Sequence, residues 1–318
     1  MIAYIYAIFT ALLWGAGFIG SRYGLEELGA MWVTFGRFAI AFAVTLPALF
    51  FIKKKKIAWG GYFQIFICAF FLSMIMFLQI KGLEYTTVAK SGFITILYAF
   101  ITPLLSFYFF KNRLSKTYWG LLIIAFLGVL LLLDLDFANL NLGDFLTLLC
   151  AFASAGHIIA VSKFSRNFNL GQFNLIQLFF VCLITLPLAF LLEGGQNITQ
   201  LTSNFIANPT SFWGLVFMGV LSTALAFFLQ VKSQEQIAPH KISLIFLFES
   251  PAAAILGFIV FNETLTANGL LGCMIVLTSV AMLPFERHIA YQLRVLKVMM
   301  RPRRVNFRRV PLITSLFK

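Results

Sequence analysis

The sequence predicts an all-α membrane protein: ten transmembrane helices in two inverted five-helix repeats, with both termini cytoplasmic. Three observations lead there. Of 318 residues, 61% are hydrophobic and 11% charged, and the mean hydropathy is +0.93; a soluble domain is nearer about half apolar and about a quarter charged. The apolar residues gather into ten runs, each close to the length of about 20 residues that a hydrocarbon core of roughly 30 Å requires. Short matches also recur at a nearly fixed spacing between the two halves of the chain.

In order, the runs cover 3–20, 31–52, 61–80, 88–110, 117–133, 145–163, 172–192, 212–231, 242–262 and 267–285. The first has no basic segment before it and no small-residue cleavage pattern after it, so it reads as a retained span and not a signal peptide. Cys68, Cys150, Cys182 and Cys273 each fall inside a run. None forms a CxxC pair, and they read as small buried hydrophobes.

The net charge of +13 sits between the runs. A nucleic-acid binder would gather its cations on a soluble face; here they follow the positive-inside rule. With a cytoplasmic N-terminus, 20 Lys and Arg lie inside and 3 outside, and Arg37 lies within a span. That distribution sets both termini inside, and no nucleic-acid partner is expected.

The repeat appears in matched residues. Ala11 matches Ala151, Ile19 matches Ile159, and Thr45-Leu46-Pro47 matches Thr185-Leu186-Pro187, all at an offset of 140. Farther on, Phe77-Leu78-Gln79-Ile80-Lys81 matches Phe228-Leu229-Gln230-Val231-Lys232 at 151. The offset changes where the connection lengthens, from residues 53–60 to 193–211. An odd number of spans per copy makes the second copy enter from the opposite side, which gives inverted repeats about an axis in the membrane plane. The expected units are 1–137, 138–285 and a basic tail, 286–318.

Six segments then carry a resemblance. They are Leu12-Leu13-Trp14-Gly15, Gly36-Arg37-Phe38, the stretch from Glu84 to Thr95, Ala226-Phe227-Phe228-Leu229-Gln230, the stretch from Leu244 to Glu249, and Asn262-Glu263-Thr264-Leu265-Thr266. In this order the chain resembles the EamA-type branch of the drug/metabolite transporter superfamily, over roughly residues 3–285. The resemblance implies a metabolite transporter in a bacterial inner membrane, with export common among relatives. The chain departs from the pattern at Glu249-Ser250-Pro251, where relatives often have Glu-Pro. It departs again at Lys111-Asn112 and Asn262-Glu263, where they often have Gly-Glu.

The polar residues inside the spans are the candidate substrate-binding set. Glu249 has no charge within seven residues on either side, and intramembrane charges tend to mark substrate or ion pathways. It reads as a site for an amine or a proton, or as a structural carboxylate beside Pro251. Arg37 suits a substrate carboxylate through its planar fork, or pairs with Glu249; its repeat mate is the neutral Gln177. Gln79 and Gln230 are repeat mates that can orient a polar solute or join helices. His157 is a lone imidazole. Trp14 can stack on a substrate or simply pack. Tyr98 occupies the repeat position of Glu249. Lys90, near the outer end of the fourth span, reads as a snorkelling side chain.

No phosphate-binding Gly loop, nucleophile elbow or metal constellation appears, so no cofactor, metal or catalysis is expected. The expected function is secondary transport or facilitation of a small polar metabolite, an amino acid or related solute, with a proton or counter-substrate as coupling partner. The alternative is an integral membrane enzyme or lipid-handling assembly factor. It would need a polar catalytic cluster at one interface, and Asp134, Asp136 and Asp144 have no histidine near them in sequence. In the tail, Ile289, Leu293, Leu296 and Met300 share one helical face and Arg287, Arg294, Lys297 and Arg301 another, the pattern of a helix lying on an anionic leaflet of the bilayer.

Overall fold

The computed structural model describes residues 2–51, 55–86, 91, 94–111, 114–133, 141–262 and 266–299. Lys90, Asn112, Asp134, Asp136, Glu263, the boundary at 137/138 and the tail beyond 299 lie outside them. Among the described residues every regular element is helical. The helices are α1 (Ile2–Gly24), α2 (Ala30–Thr45), α3 (Trp59–Leu83), α4 (Tyr98–Phe110), α5 (Lys116–Leu133), α6 (Leu142–Phe164) and α7 (Leu170–Glu193). After them come α8 (Ile198–Ala207), α9 (Pro209–Phe217), α10 (Ala226–Gln234), α11 (Pro239–Phe246), α12 (Glu249–Phe261), α13 (Ala267–Met282) and α14 (Glu286–Met299). A π-helical turn, Met218–Leu225, joins α9 to α10.

Eight of these segments are long and apolar enough to cross a membrane, and two shorter apolar helices, Ile94–Phe110 and Lys116–Leu132, accompany them. The chain is an all-α membrane protein. Large apolar side chains such as Phe63, Leu104, Leu183 and Ile259 are exposed on the rim, where lipid makes burial unnecessary. The interior is built from small and branched residues, among them Ala7, Ala11, Ala99, Ala125, Ala151 and Val276. Small residues let helices approach where no hydrophobic drive pushes them together.

The helices pack in a regular set of pairs. α3 lies on α6, α5 on α13, and α2 on α7; α1 runs along α12 and along the whole α9–π–α10 segment. α2 also meets the π turn, α3 meets α7, α4 meets α6, and α4 meets α11. The longer connection at 193–211 folds as α8, whose residues are all at least partly exposed.

Asn141 caps α6 in a reciprocal box with Asp144, so Asp144 has a structural partner at the helix start. Asn169 caps α7 with bonds from Gly171 and Gln172. At their other ends α4 and α12 close on Lys111 and Asn262, in left-handed conformation at φ 55° and φ 52°. These are the two positions where the resembled family often has glycine, and a left-handed C-cap is the backbone reason glycine is favoured there. The four cysteines are free thiols.

α14 follows α13 after a 3-10 turn, Leu283–Phe285, and folds its first residue inward. Glu286 is 7% exposed, accepts a hydrogen bond from Ser115 and forms an ion pair with Lys241, tying α14 to α5 and α11. Burial works against its ionisation, but the bonds from Lys241 and Ser115 outweigh it and hold the carboxyl below its ordinary value. A depressed folded value means the stabilisation is complete above the unfolded value of about 4.3. It is lost as pH falls through the folded value. Thermal melts in detergent should therefore fall steeply below about pH 4.3 in the native chain. Glu286→Gln should flatten that limb and cost about 1–3 kcal/mol at pH 7; identical pH profiles would refute the linkage.

Candidate functional site

Two helix breaks prepare the site. α12 begins at Glu249 after a turn at Leu247 and Phe248, and Pro251 falls in its first turn, where a missing N–H costs nothing. α4 begins in the same way at Tyr98, after a break at Leu97. The two residues 151 positions apart in sequence thus occupy the same place, the first residue of a half-helix. The positive end of the helix dipole favours a carboxylate at such a terminus.

Between the helices lies a cavity of about 190 Å³, and its walls include Trp14, Arg37, Gln79, Tyr98, His157, Gln230 and Glu249. All seven residues singled out in the sequence are brought to one chamber. It is smaller than the roughly 300–1,000 Å³ of pockets for drug-sized ligands.

Arg37 and Glu249 form no direct ion pair among the described residues, though each lies within the other's Coulombic reach. Arg37 turns to the π segment instead. Its Nε donates to Thr223 Oγ1 at 2.8 Å, and Nη2 donates to the Ser222 carbonyl and hydroxyl, each at 3.3 Å. The wide π turn places both hydroxyls on one guanidinium, and π turns are frequent at functional sites. Glu249 is half-buried in the chamber wall. Gly15 lets α1 rest on the backbone there: a Cβ at position 15 would meet the Glu249 carbonyl oxygen at 2.9 Å and Ala252 Cβ at 2.8 Å.

The remaining walls combine rings and amides. Trp14 lies 4.8 Å from Phe246 and 5.5 Å from Phe227, centroid to centroid, so it is packed and also lines the chamber. His157 meets the Phe227 ring edge-on at 6.1 Å, and Gln177 stands beside it. Gln230 is fully buried, and neither its amide oxygen nor its nitrogen has a hydrogen-bond partner among the described residues. Gln79, 151 positions earlier in the chain, is only half-buried. Lys81 sits above it in an exposed ion pair with Glu84 at 2.7 Å, and Lys232 lies 4.9 Å from the Tyr6 ring.

Sequence reasoning missed Ser222, Thr223, Phe227 and Phe246. The adjacent hydroxyls of Ser222 and Thr223 in an apolar run were the available signal; Phe227 and Phe246 fall inside two of the segments that carry the family resemblance but were not singled out there as site residues. Among the described residues no cluster of His, Cys, Asp or Glu has the makings of a metal site.

A multi-pass helical bundle enclosing a charged and polar chamber is the architecture of a membrane carrier, and comparison with known proteins identifies the kind. The EamA-like transporter family model matches residues 1–134 and again 141–284. The chain belongs to the EamA-like transporter family, within the drug/metabolite transporter superfamily, and is a multi-pass protein of the cell membrane. An uncharacterized transporter of Archaeoglobus fulgidus is 27% identical over 85% of this chain and 82% of its own length. A protein of Salmonella typhimurium described as a probable amino-acid metabolite efflux pump is 24% identical over 85% of this chain and 91% of its own. A solved crystal structure, 14% identical, superposes with a TM-score of 0.76 over 92% of this chain and 98% of that one, a likeness of fold alone.

Proposed function

We propose that this chain is a secondary carrier or facilitator that moves a small polar metabolite, an amino acid or related solute, by alternating access. The observation that carries the reading is one acid and one arginine on the wall of a single chamber, not paired with each other. Such a site is net neutral and offers opposite charges to a zwitterion. Glu249 takes the amine and Arg37 the carboxylate through its remaining donors. Gln79, Gln230 and His157 supply hydrogen bonds, and Trp14 and Tyr98 supply ring surface. The description of the Salmonella relative as a probable amino-acid metabolite efflux pump favours export of amino-acid metabolites.

Ten spans in two inverted repeats, 1–137 and 138–285, supply the moving parts. The helix pairs favour this reading. If each span is exchanged for its repeat mate, the α3–α6 contact becomes that between the α9–π–α10 segment and α1; α4–α6 becomes α12–α1; and α3–α7 becomes the π segment with α2. The α2–α7 and α5–α13 contacts map onto themselves. The matched starts at Tyr98 and Glu249 and the matched left-handed caps at Lys111 and Asn262 favour it further. Both termini face the cytoplasm, and the basic tail, 286–318, rests on the anionic leaflet. A proton carried on Glu249 or a counter-solute supplies the coupling.

Glu249→Gln should lower flux of an amino-acid panel in proteoliposomes at least about tenfold, about 1.4 kcal/mol in the rate, and should abolish any dependence on a pH gradient. Protein yield and melting midpoint should hold. Flux that persists unchanged would remove Glu249 from the pathway.

A further inference from the structure

The buried polar atoms that lack a partner are not scattered. Apart from one Glu286 oxygen, which faces Lys241, all of those among the described residues lie on α6, α7, α10 or the turn after α6: His157 Nε2, Ser165 Oγ, Asn174 Oδ1, both amide atoms of Gln177 and of Gln230, and Gln234 Oε1. Gln177, Gln230 and Gln234 are wholly buried, and Asn174 is 2% exposed. A buried donor or acceptor left unmet costs its full desolvation penalty, and native interiors carry few. Gln234 holds α10 to α6 through its amide nitrogen and Gln177 stands beside His157, but dry packing gives the remaining donors and acceptors of the set no partner.

The atoms fall in layers. His157 and Gln230 line the chamber, and Gln177 stands beside His157. Roughly one turn, or about 5 Å, farther come Asn174 and Gln234. Ser165 and Arg166 end the series where α6 passes into α7. The far end is latched: Gln234 Nε2 donates to the Ile158 carbonyl and to Ser162 Oγ, both at 2.9 Å, and Arg166 Nη2 reaches the Gln234 carbonyl at 3.5 Å. The other face of α7 differs, since Leu178 and Val181 are wholly buried in an apolar cluster.

We propose that the wedge between α6, α7 and α10 is the second half of the solute path, closed in this structure: a neutral hydrogen-bonding passage from the chamber to the bundle end carrying residues 165–170 and 234–239. Opened by separation of α10 from α6, it takes water and the uncharged donors and acceptors of a polar solute. The inference rests on the transport reading and assigns a new role to Asn174, Gln177 and Gln234.

The test is thiol accessibility. Cys68, Cys150, Cys182 and Cys273 are replaced by alanine in the full-length chain, and single cysteines are placed at Asn174, Gln177, Leu178, Val181 and the exposed Gln236. Membrane vesicles of each orientation receive the impermeant sulfonatoethyl methanethiosulfonate. Asn174→Cys and Gln177→Cys should label at least about tenfold faster than Leu178→Cys and Val181→Cys, and faster from the side that labels Gln236→Cys. Two results would overturn the proposal. In one, positions 174 and 177 stay unlabelled while 236 reacts. In the other, all four buried positions react alike, as in general loosening. Labelling is read without any flux, so failure here is distinct from failure of the Glu249 test.

Discussion

Gly272→Ala should lower the melting midpoint of the purified protein sharply, and Gly272→Leu should yield no folded protein. α5 and α13 cross with backbone against backbone. A Cβ on Gly272 would sit 2.7 Å from the Leu132 nitrogen and closer still to the Gly128 carbonyl oxygen, and one on Gly128 would sit 2.9 Å from the Gly272 carbonyl oxygen. Neither partner is a side chain that can swing aside, so the helices must separate along their length. Alanine gains about 1 kcal/mol of helix propensity. Overpacking against backbone reaches or exceeds about 3 kcal/mol, so the clash wins by about 2 kcal/mol or more. Gly120 supplies the control. A Cβ there meets nothing within 4 Å, so Gly120→Ala should melt at or above the native midpoint. Equal midpoints for Gly272→Ala and Gly120→Ala would show that the crossing is not tight.

The second large effect is expected at Arg37. Arg37→Lys keeps the charge and loses the fork. A lysine ammonium cannot hold the Thr223 hydroxyl, the Ser222 carbonyl and the Ser222 hydroxyl while also facing the chamber, because it is a point charge on a flexible stem. Hydrogen bonds to a charged group contribute about 1.5–3 kcal/mol each. Losing one of the three lowers flux by about 10–100-fold at about 1.4 kcal/mol per factor of ten, and lowers the melting midpoint too. Arg37→Met should do both more severely, since it also leaves the chamber with a lone acid. Native flux and melting in Arg37→Lys would mean that charge alone suffices and that the π turn needs no fork. The informative double variant is Arg37→Lys with Thr223→Val. If the Nε bond to Thr223 is the one that matters, the second change adds little to the first.

Much of the chamber could be read before any coordinates. A charge, an amide or an imidazole inside an apolar run must find a partner or a pathway, so Glu249, Arg37, His157 and the two glutamines announced themselves by context alone. The left-handed caps at Lys111 and Asn262 were visible as departures from a family pattern, though not as a backbone conformation. Gln177 was noticed only as the neutral mate of Arg37. Its standing beside His157, and the company of Asn174 and Gln234, depend on how α6, α7 and α10 are rotated. Residues on separate helices carry no record of mutual rotation in a single sequence. For the same reason the choice for Arg37 between Glu249 and other partners stayed open until the π turn was seen to present Ser222 and Thr223.

What the sequence determined by itself is the class: hydropathy and run length make the chain an α-helical membrane protein, because lipid leaves backbone groups no partner but their own helix. It also determined which residues are out of place in lipid, because burying a charge or an amide is costly wherever the helix sits. Only the tertiary structure decided which of them meet. Helix rotation, the two breaks before Tyr98 and Glu249 and the close glycine crossing of α5 with α13 are set by packing between segments distant in the chain. Packing is also what put seven residues on one chamber and left Arg37 and Glu249 without a direct ion pair within it.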